Sequence, residues 1–126
     1  MPLVRIDFFE GYPDDFGSRV AQIVYRTMMA EFGVPEHDNF QVVNEHRPGG
    51  IVFDHEYLGI ERTTGIVIVQ ITLNAGRSVE KKQAFYAALA AGLSAELSVR
   101  PEDLLISLVE VAKENWSFGN GVAQYV

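Results

Sequence analysis

Pro2 stands directly behind the initiator methionine, at the head of the stretch M-P-L-V-R-I-D-F-F. Methionine is usually trimmed when a small residue follows, and here trimming leaves proline with a free secondary amine. An α-amino group titrates near ~7.7–8.0, so that amine can serve as acid, base or nucleophile around neutral pH. The plain alternative is a proline in a frayed terminus, where its missing N–H costs nothing. Its partners decide between the two. The chain is acidic, with 10 Lys and Arg against 17 Asp and Glu and a net charge of −7. An anionic substrate must then be held by a local arginine and not by a global field, which directs attention to Arg77 in N-A-G-R-S. Asp38, closing the turn V-P-E-H-D, is the candidate carboxylate.

The same charge balance, without any block of Lys and Arg, disfavours nucleic acid as a partner. With no cysteine, there is no thiol nucleophile, disulfide or thiolate metal site. His37, His46 and His55 lack metal-ligand spacing, so neither a metal nor another cofactor is expected. Arg47 and Arg62 suit surface or salt-bridge roles as well as any site role. No basic n-region, apolar h-region or membrane-length apolar run is present, which points to a cytoplasmic protein without a membrane partner. At 126 residues the chain is expected to form one domain, spanning residues 1–126.

Pro2, Asp38 and Arg77 are far apart in sequence, and an internal repeat brings them together. A shift of 65 residues places Val4, Ile6 and Gly11 on Val69, Ile71 and Gly76 without gaps. It also places Val34, Asp38 and Glu45 on Val99, Asp103 and Glu110. The repeated units run over about 2–46 and 67–111. Residues 3–9 and 66–73 read as strands, rich in β-branched and aromatic side chains. Phe16, Val20, Ile23, Val24, Met28 and Phe32 have helical spacing, as do Phe85, Ala88, Leu89, Leu93 and Leu97. Asp14 and Asp15 suit the opening turn of the first helix, and Ser78 suits an N-cap with Glu80 behind it. Second strands follow at 40–46 and 104–111.

The fold class is therefore α+β: two fused β-α-β units forming a four-stranded mixed sheet, with both helices on one face. If a pseudo-two-fold axis relates the halves, the start of the first strand lies beside the end of the third. Pro2, Asp38 and Arg77 then share one sheet edge. The equivalent edge of the other half contains Val67, Asp103 and Tyr12. Val67 is mid-chain, so only one end of the molecule can carry amine chemistry.

The series Pro2, GVPEHDNFQVV (33–43), EHRPGG (45–50), LGIERTTG (58–65), NAGRSVEKKQAFY (74–86) and NWSFGNG (115–121) resembles the tautomerase superfamily, and within it the malonate semialdehyde decarboxylase branch. The resemblance runs over essentially the whole chain. It implies a homotrimer with Pro2 as the central catalytic group, Asp38 as catalytic carboxylate and Arg77 as the catalytic and substrate-binding arginine. It also implies that Trp116 and Phe118 wall the pocket. Ala75 departs from those decarboxylases that have a second arginine there. Residues 16–32 contain no histidine, unlike the related cis-3-chloroacrylate dehalogenases, so dehalogenation is not expected.

The implied reaction is cleavage of a small anionic 3-oxo acid to an aldehyde and CO2, with hydratase side activity. Pro2 can act as an ammonium that hydrogen-bonds the aldehyde oxygen, or as an amine that forms an iminium ion. Asp38 would favour the ammonium and raise its pKa. The alternatives are a promiscuous keto–enol tautomerase of 2-oxo acids and a non-catalytic trimeric interaction module. The apolar C-terminal run WSFGNGVAQYV is expected to cover a neighbouring subunit's edge.

Overall fold

The computed structural model describes all 126 residues. Alternation of buried and exposed side chains builds β1 (Leu3–Phe9), in which Val4, Ile6 and Phe8 point to one side. A 17-residue helix, α1 (Phe16–Phe32), follows, with Val20, Ile23, Val24 and Met28 on its buried stripe. Gly33 ends it in the left-handed conformation (φ 66°), and the chain returns as β2 (Phe40–His46). The second half repeats this plan in β3 (Val67–Asn74), α2 (Val79–Leu97) and β4 (Leu104–Val111).

The sheet order is β2-β1-β3-β4. β1 pairs parallel with β2, β3 parallel with β4, and β1 antiparallel with β3. This is the expected mixed sheet of two fused β-α-β units. Its register sets Leu3 opposite both Phe40 and Thr72, so the amino end of β1 meets the start of β2 and the end of β3. The core lies between the helices and one sheet face, where Val4, Ile6, Val69 and Ile71 meet Phe16, Val24, Phe85 and Leu89. Burying each such side chain stabilises the fold by about 1.5–3 kcal/mol. On the other face Phe40, Val42, Leu105 and Val109 stay exposed.

Two local expectations change. The third strand starts at Val67 and runs to Asn74, one residue later than expected at each end. Asp15 takes the N-cap position of α1, but neither it nor Asp14 makes a side-chain cap bond. Ser18 instead donates its hydroxyl to the Asp15 carbonyl at 3.0 Å. Ser78 does cap α2, accepting from the Lys81 N–H at 3.2 Å. The C-terminal run bends back over the amino end of β1 in its own chain, while Val122, Tyr125 and Val126 remain exposed.

Candidate active site

Pro2 is buried at the amino end of β1. It lines a cavity of about 200 Å³ together with Met1, Leu3, Phe40, Trp116, Ser117 and Phe118. Phe40 belongs here because the parallel register places it opposite Leu3. Trp116 and Phe118 stack with centroids 5.3 Å apart, and Tyr125 meets the edge of that pair at 5.0 Å.

Asp38 reaches this end through the turn after α1. His37 adopts a positive φ of 69°, and its N–H donates to the Tyr25 hydroxyl at 2.8 Å. The Asp38 N–H closes the turn on the Pro35 carbonyl at 3.2 Å. Asp38 Oδ2 lies 3.8 Å from the N-terminal amine of Met1, whereas Oδ1 is buried without a hydrogen-bond partner. Such an orphan costs about 1–3 kcal/mol.

Arg77 arrives from the β3–α2 loop. Gly76 has φ 125°, a conformation in which a side chain is strained, and it turns the chain toward the terminus. Glu110 braces this loop by accepting from the Gly76 N–H at 3.4 Å and from Lys82 Nζ at 2.8 Å. The lysine bond, chiefly, holds its carboxyl below the usual range. The Arg77 guanidinium lies 5.0 Å from the Phe32 ring centre and donates to the carbonyls of Asn74 (3.3 Å) and Phe32 (3.4 Å). Its Nε is buried and unpartnered. Guanidinium N–H groups match a carboxylate side-on, and the two carbonyls preset this plane.

The topology thus brings Pro2, Asp38 and Arg77 to one end of the sheet. With Met1 in place, Asp38 and Arg77 flank the cavity without lining it, whereas Trp116 and Phe118 form its wall. Burial lowers the pKa of the Met1 amine below the ordinary α-amino value; Asp38 opposes the shift and Arg77 adds to it. At this Met1 amine Asp38 acts in the raising direction, and removal of water, which penalises the charged form, is the larger effect.

The opposite end is the internal control. Asp103 is only 2 % exposed and accepts from the Thr63 N–H and hydroxyl, both at 2.7 Å. Tyr12, standing where Arg77 stands in the other half, donates its hydroxyl to the Gly65 carbonyl at 2.5 Å. The linker closes over this end, and no polar side-chain atom there is left buried and unpartnered. The third buried orphan is Gln41 Oε1 on β2.

Residues 38–119 match the family model described as tautomerase enzyme. The chain belongs to this family. Two curated relatives from Bacillus subtilis (strain 168) align over its full length. Probable tautomerase YusQ is 36% identical, with 99% of that protein covered, and probable tautomerase YrdN is 35% identical, with 97% covered. Among solved structures, malonate semialdehyde decarboxylase, described with decarboxylase and hydratase activities, superposes with TM-score 0.88 at 33% identity. That match covers 98% of this chain and 95% of the other. FG41 malonate semialdehyde decarboxylase inhibited by 3-bromopropiolate gives 0.89 at 33% identity, covering 98% and 93%. A fused 4-OT, described as a symmetric trimer, shares the fold at TM-score 0.78 and 21% identity, covering 95% and 94%. This protein is an enzyme of the tautomerase superfamily with a decarboxylase-like relationship. Its sequence had pointed to the acidic, basic and aromatic members of the site. Leu3, Phe40 and Ser117 were not anticipated, although pairing β1 with β2 in register reveals Phe40. Of the residues that hold Arg77, Phe32 carried no motif signal, and Asn74 stood in the N-A-G-R-S stretch with no role assigned to it.

Proposed function

We propose that the enzyme uses the Pro2 amine, freed by removal of Met1, to decarboxylate a small 3-oxo acid such as malonate semialdehyde. The observation that carries this reading is the pair of buried, unpartnered atoms Asp38 Oδ1 and Arg77 Nε flanking the chain terminus. Groups left unsatisfied by the fold are suited to a ligand, and their twins at the other sheet end are satisfied internally. The 33% identity to malonate semialdehyde decarboxylase over nearly the whole chain supports the substrate class.

Neutral Pro2 adds to the aldehyde carbon and, on loss of water, leaves an iminium ion. Arg77 holds the carboxylate so that the breaking C–C bond lies out of the iminium plane. The electron pair of that bond moves into the iminium system, CO2 departs and an enamine forms. Protonation at carbon and hydrolysis release acetaldehyde and restore the amine. Asp38 positions the water and takes up its proton. This course needs the neutral amine, whereas an ammonium would only hydrogen-bond the aldehyde oxygen.

A second reading is keto–enol tautomerisation of 2-oxo acids, since a neutral amine can move a proton between oxygen and carbon. The names of the two Bacillus subtilis relatives accord with it. Proton NMR of malonate semialdehyde and of phenylenolpyruvate, with wild type and Arg77→Ala, separates the two. Decarboxylation predicts faster loss of the semialdehyde and acetaldehyde as product, with kcat/KM at least about 100-fold lower in the variant. Turnover of phenylenolpyruvate alone assigns tautomerisation.

The exposed Phe40, Val42, Leu105 and Val109 form the apolar face on which three copies would assemble. Sedimentation equilibrium at three times the chain mass is the expected result.

A further inference from the structure

Residues 112–126 leave the sheet at the end of β4 and fold back without a strand or α-helix. Their remaining hydrogen bonds are internal, such as Gln124 Nε2 donating to the Gly119 carbonyl at 2.8 Å and accepting at Oε1 from the Phe118 N–H at 2.9 Å. One hydrogen bond ties this segment to the body of the protein. Trp116 Nε1–H donates to Asn74 Oδ1 at 2.8 Å, in partly buried surroundings. The backbone carbonyl of Asn74 accepts from Arg77 Nη1 at 3.3 Å. A single residue at the end of β3 therefore touches both the aromatic wall and the arginine.

We infer that Asn74 is a positioning residue: it latches the Trp116–Phe118 wall over Pro2 and sets that wall against Arg77. This rests on the reading of the cavity as the active site. Asn74 touches no reacting atom; it acts through Trp116. A partly buried indole N–H requires an acceptor, and without one the wall loses the bond that fixes its angle. Asn74 is paired with Val111 in the β3–β4 ladder, so its Oδ1 is presented from rigid backbone.

The chain has a single tryptophan, so its emission reports on this contact alone. Acrylamide quenching of Trp116 is measured in wild type, Asn74→Ala and Asn74→Asp, with far-UV circular dichroism as the control of folding. The alanine variant is expected to raise the quenching constant at least two-fold, and the aspartate, which keeps the acceptor, to leave it near wild type. If alanine at 74 prevents folding, Trp116→Phe breaks the same bond from the other side. Faster tryptic cleavage after Lys113 then reports release of the segment. In turnover, Asn74→Ala is expected to raise KM several-fold with kcat within about three-fold, and to change KM no further when Trp116 is already Phe. Unchanged quenching, or in the fallback unchanged cleavage, overturns the latch. A raised quenching constant with unchanged KM overturns its role in the site. Absence of turnover in wild type counts against the proposed function instead, and the quenching then decides the latch by itself.

Discussion

Asp38 and Asp103 hold equivalent places in the two β-α-β halves, 65 residues apart, yet their carboxylates are used in opposite ways. Asp103 accepts from Thr63 through both oxygens and lies 3.5 Å from the Arg100 guanidinium. Asp38 keeps Oδ1 buried and free beside the chain terminus. One position has become a structural clamp, while its twin retains unsatisfied chemistry.

Separate consequences follow for the two carboxylates. Asp103→Ala is expected to destabilise the protein by about 2–4 kcal/mol, since it removes charge-assisted bonds and leaves Thr63 unpaired. The folded fraction keeps its activity. Asp38→Ala is expected to lower kcat by about 100-fold or more while stability stays level or rises. Urea unfolding and steady-state kinetics on both variants check this crossed pattern.

Arg77→Lys tests whether planarity matters beyond charge. A lysine cannot bond the Phe32 and Asn74 carbonyls while presenting a side-on pair of donors. The expected loss in kcat/KM is about 100-fold, mostly in KM, with Arg77→Ala little worse. A lysine variant within about three-fold of wild type would show that only the positive charge is needed.

The amine carries a pH signature. In the chain that keeps Met1, the pKa of the Met1 amine is lowered from 8.0, chiefly by burial, so in the window between the two values the unfolded state binds more protons. Stability therefore rises with pH through that window and levels off above the ordinary value. Asp38 opposes the lowering, so Asp38→Asn is expected to move the pKa lower still. With ¹⁵N-proline labelling, Pro2 of the trimmed protein is the one titrating secondary amine among 5 prolines. Its chemical shift against pH gives the titration of the Pro2 amine itself, and Asp38→Asn is expected to move it down as well.

Glu110 predicts sensitivity at the acid end. Its hydrogen bond to Lys82, above all, holds its pKa below 4.5, so the stability it contributes is present above that value. That contribution is lost as pH falls through the lower folded value. Glu110→Gln is expected to flatten the acid limb of thermal stability and to raise KM by loosening the loop of Gly76 and Arg77. Thermal scans across pH 3–6 (roughly, bracketing the carboxylate range) check the first effect.

Much of this arrangement was legible beforehand because topology alone supplies it. Once the repeat sets β1 antiparallel to β3 and parallel to β2, Pro2, Asp38 and Arg77 must share an end. The aromatic wall was legible only through the resemblance, since residues 112–126 have no periodicity to place them. What holds each group was hidden for a different reason. Phe32 reaches Arg77 across 45 positions and Trp116 reaches Asn74 across 42, contacts between unlike residue types with no spacing rule. The balance at the amine was also illegible. Topology brings a raising carboxylate to the terminus, but desolvation, the larger effect at Met1, depends on how deeply the terminus is covered, which only packing decides.

The central claim is that a free Pro2 amine performs the chemistry. Intact mass of the purified protein is to be read beside proton NMR turnover of malonate semialdehyde by wild type and Pro2→Ala. The account predicts a wild-type mass lacking Met1, acetaldehyde as product, and a rate about 100-fold lower or less for Pro2→Ala. A mass that retains Met1 in active wild type, or equal turnover by Pro2→Ala, would contradict it.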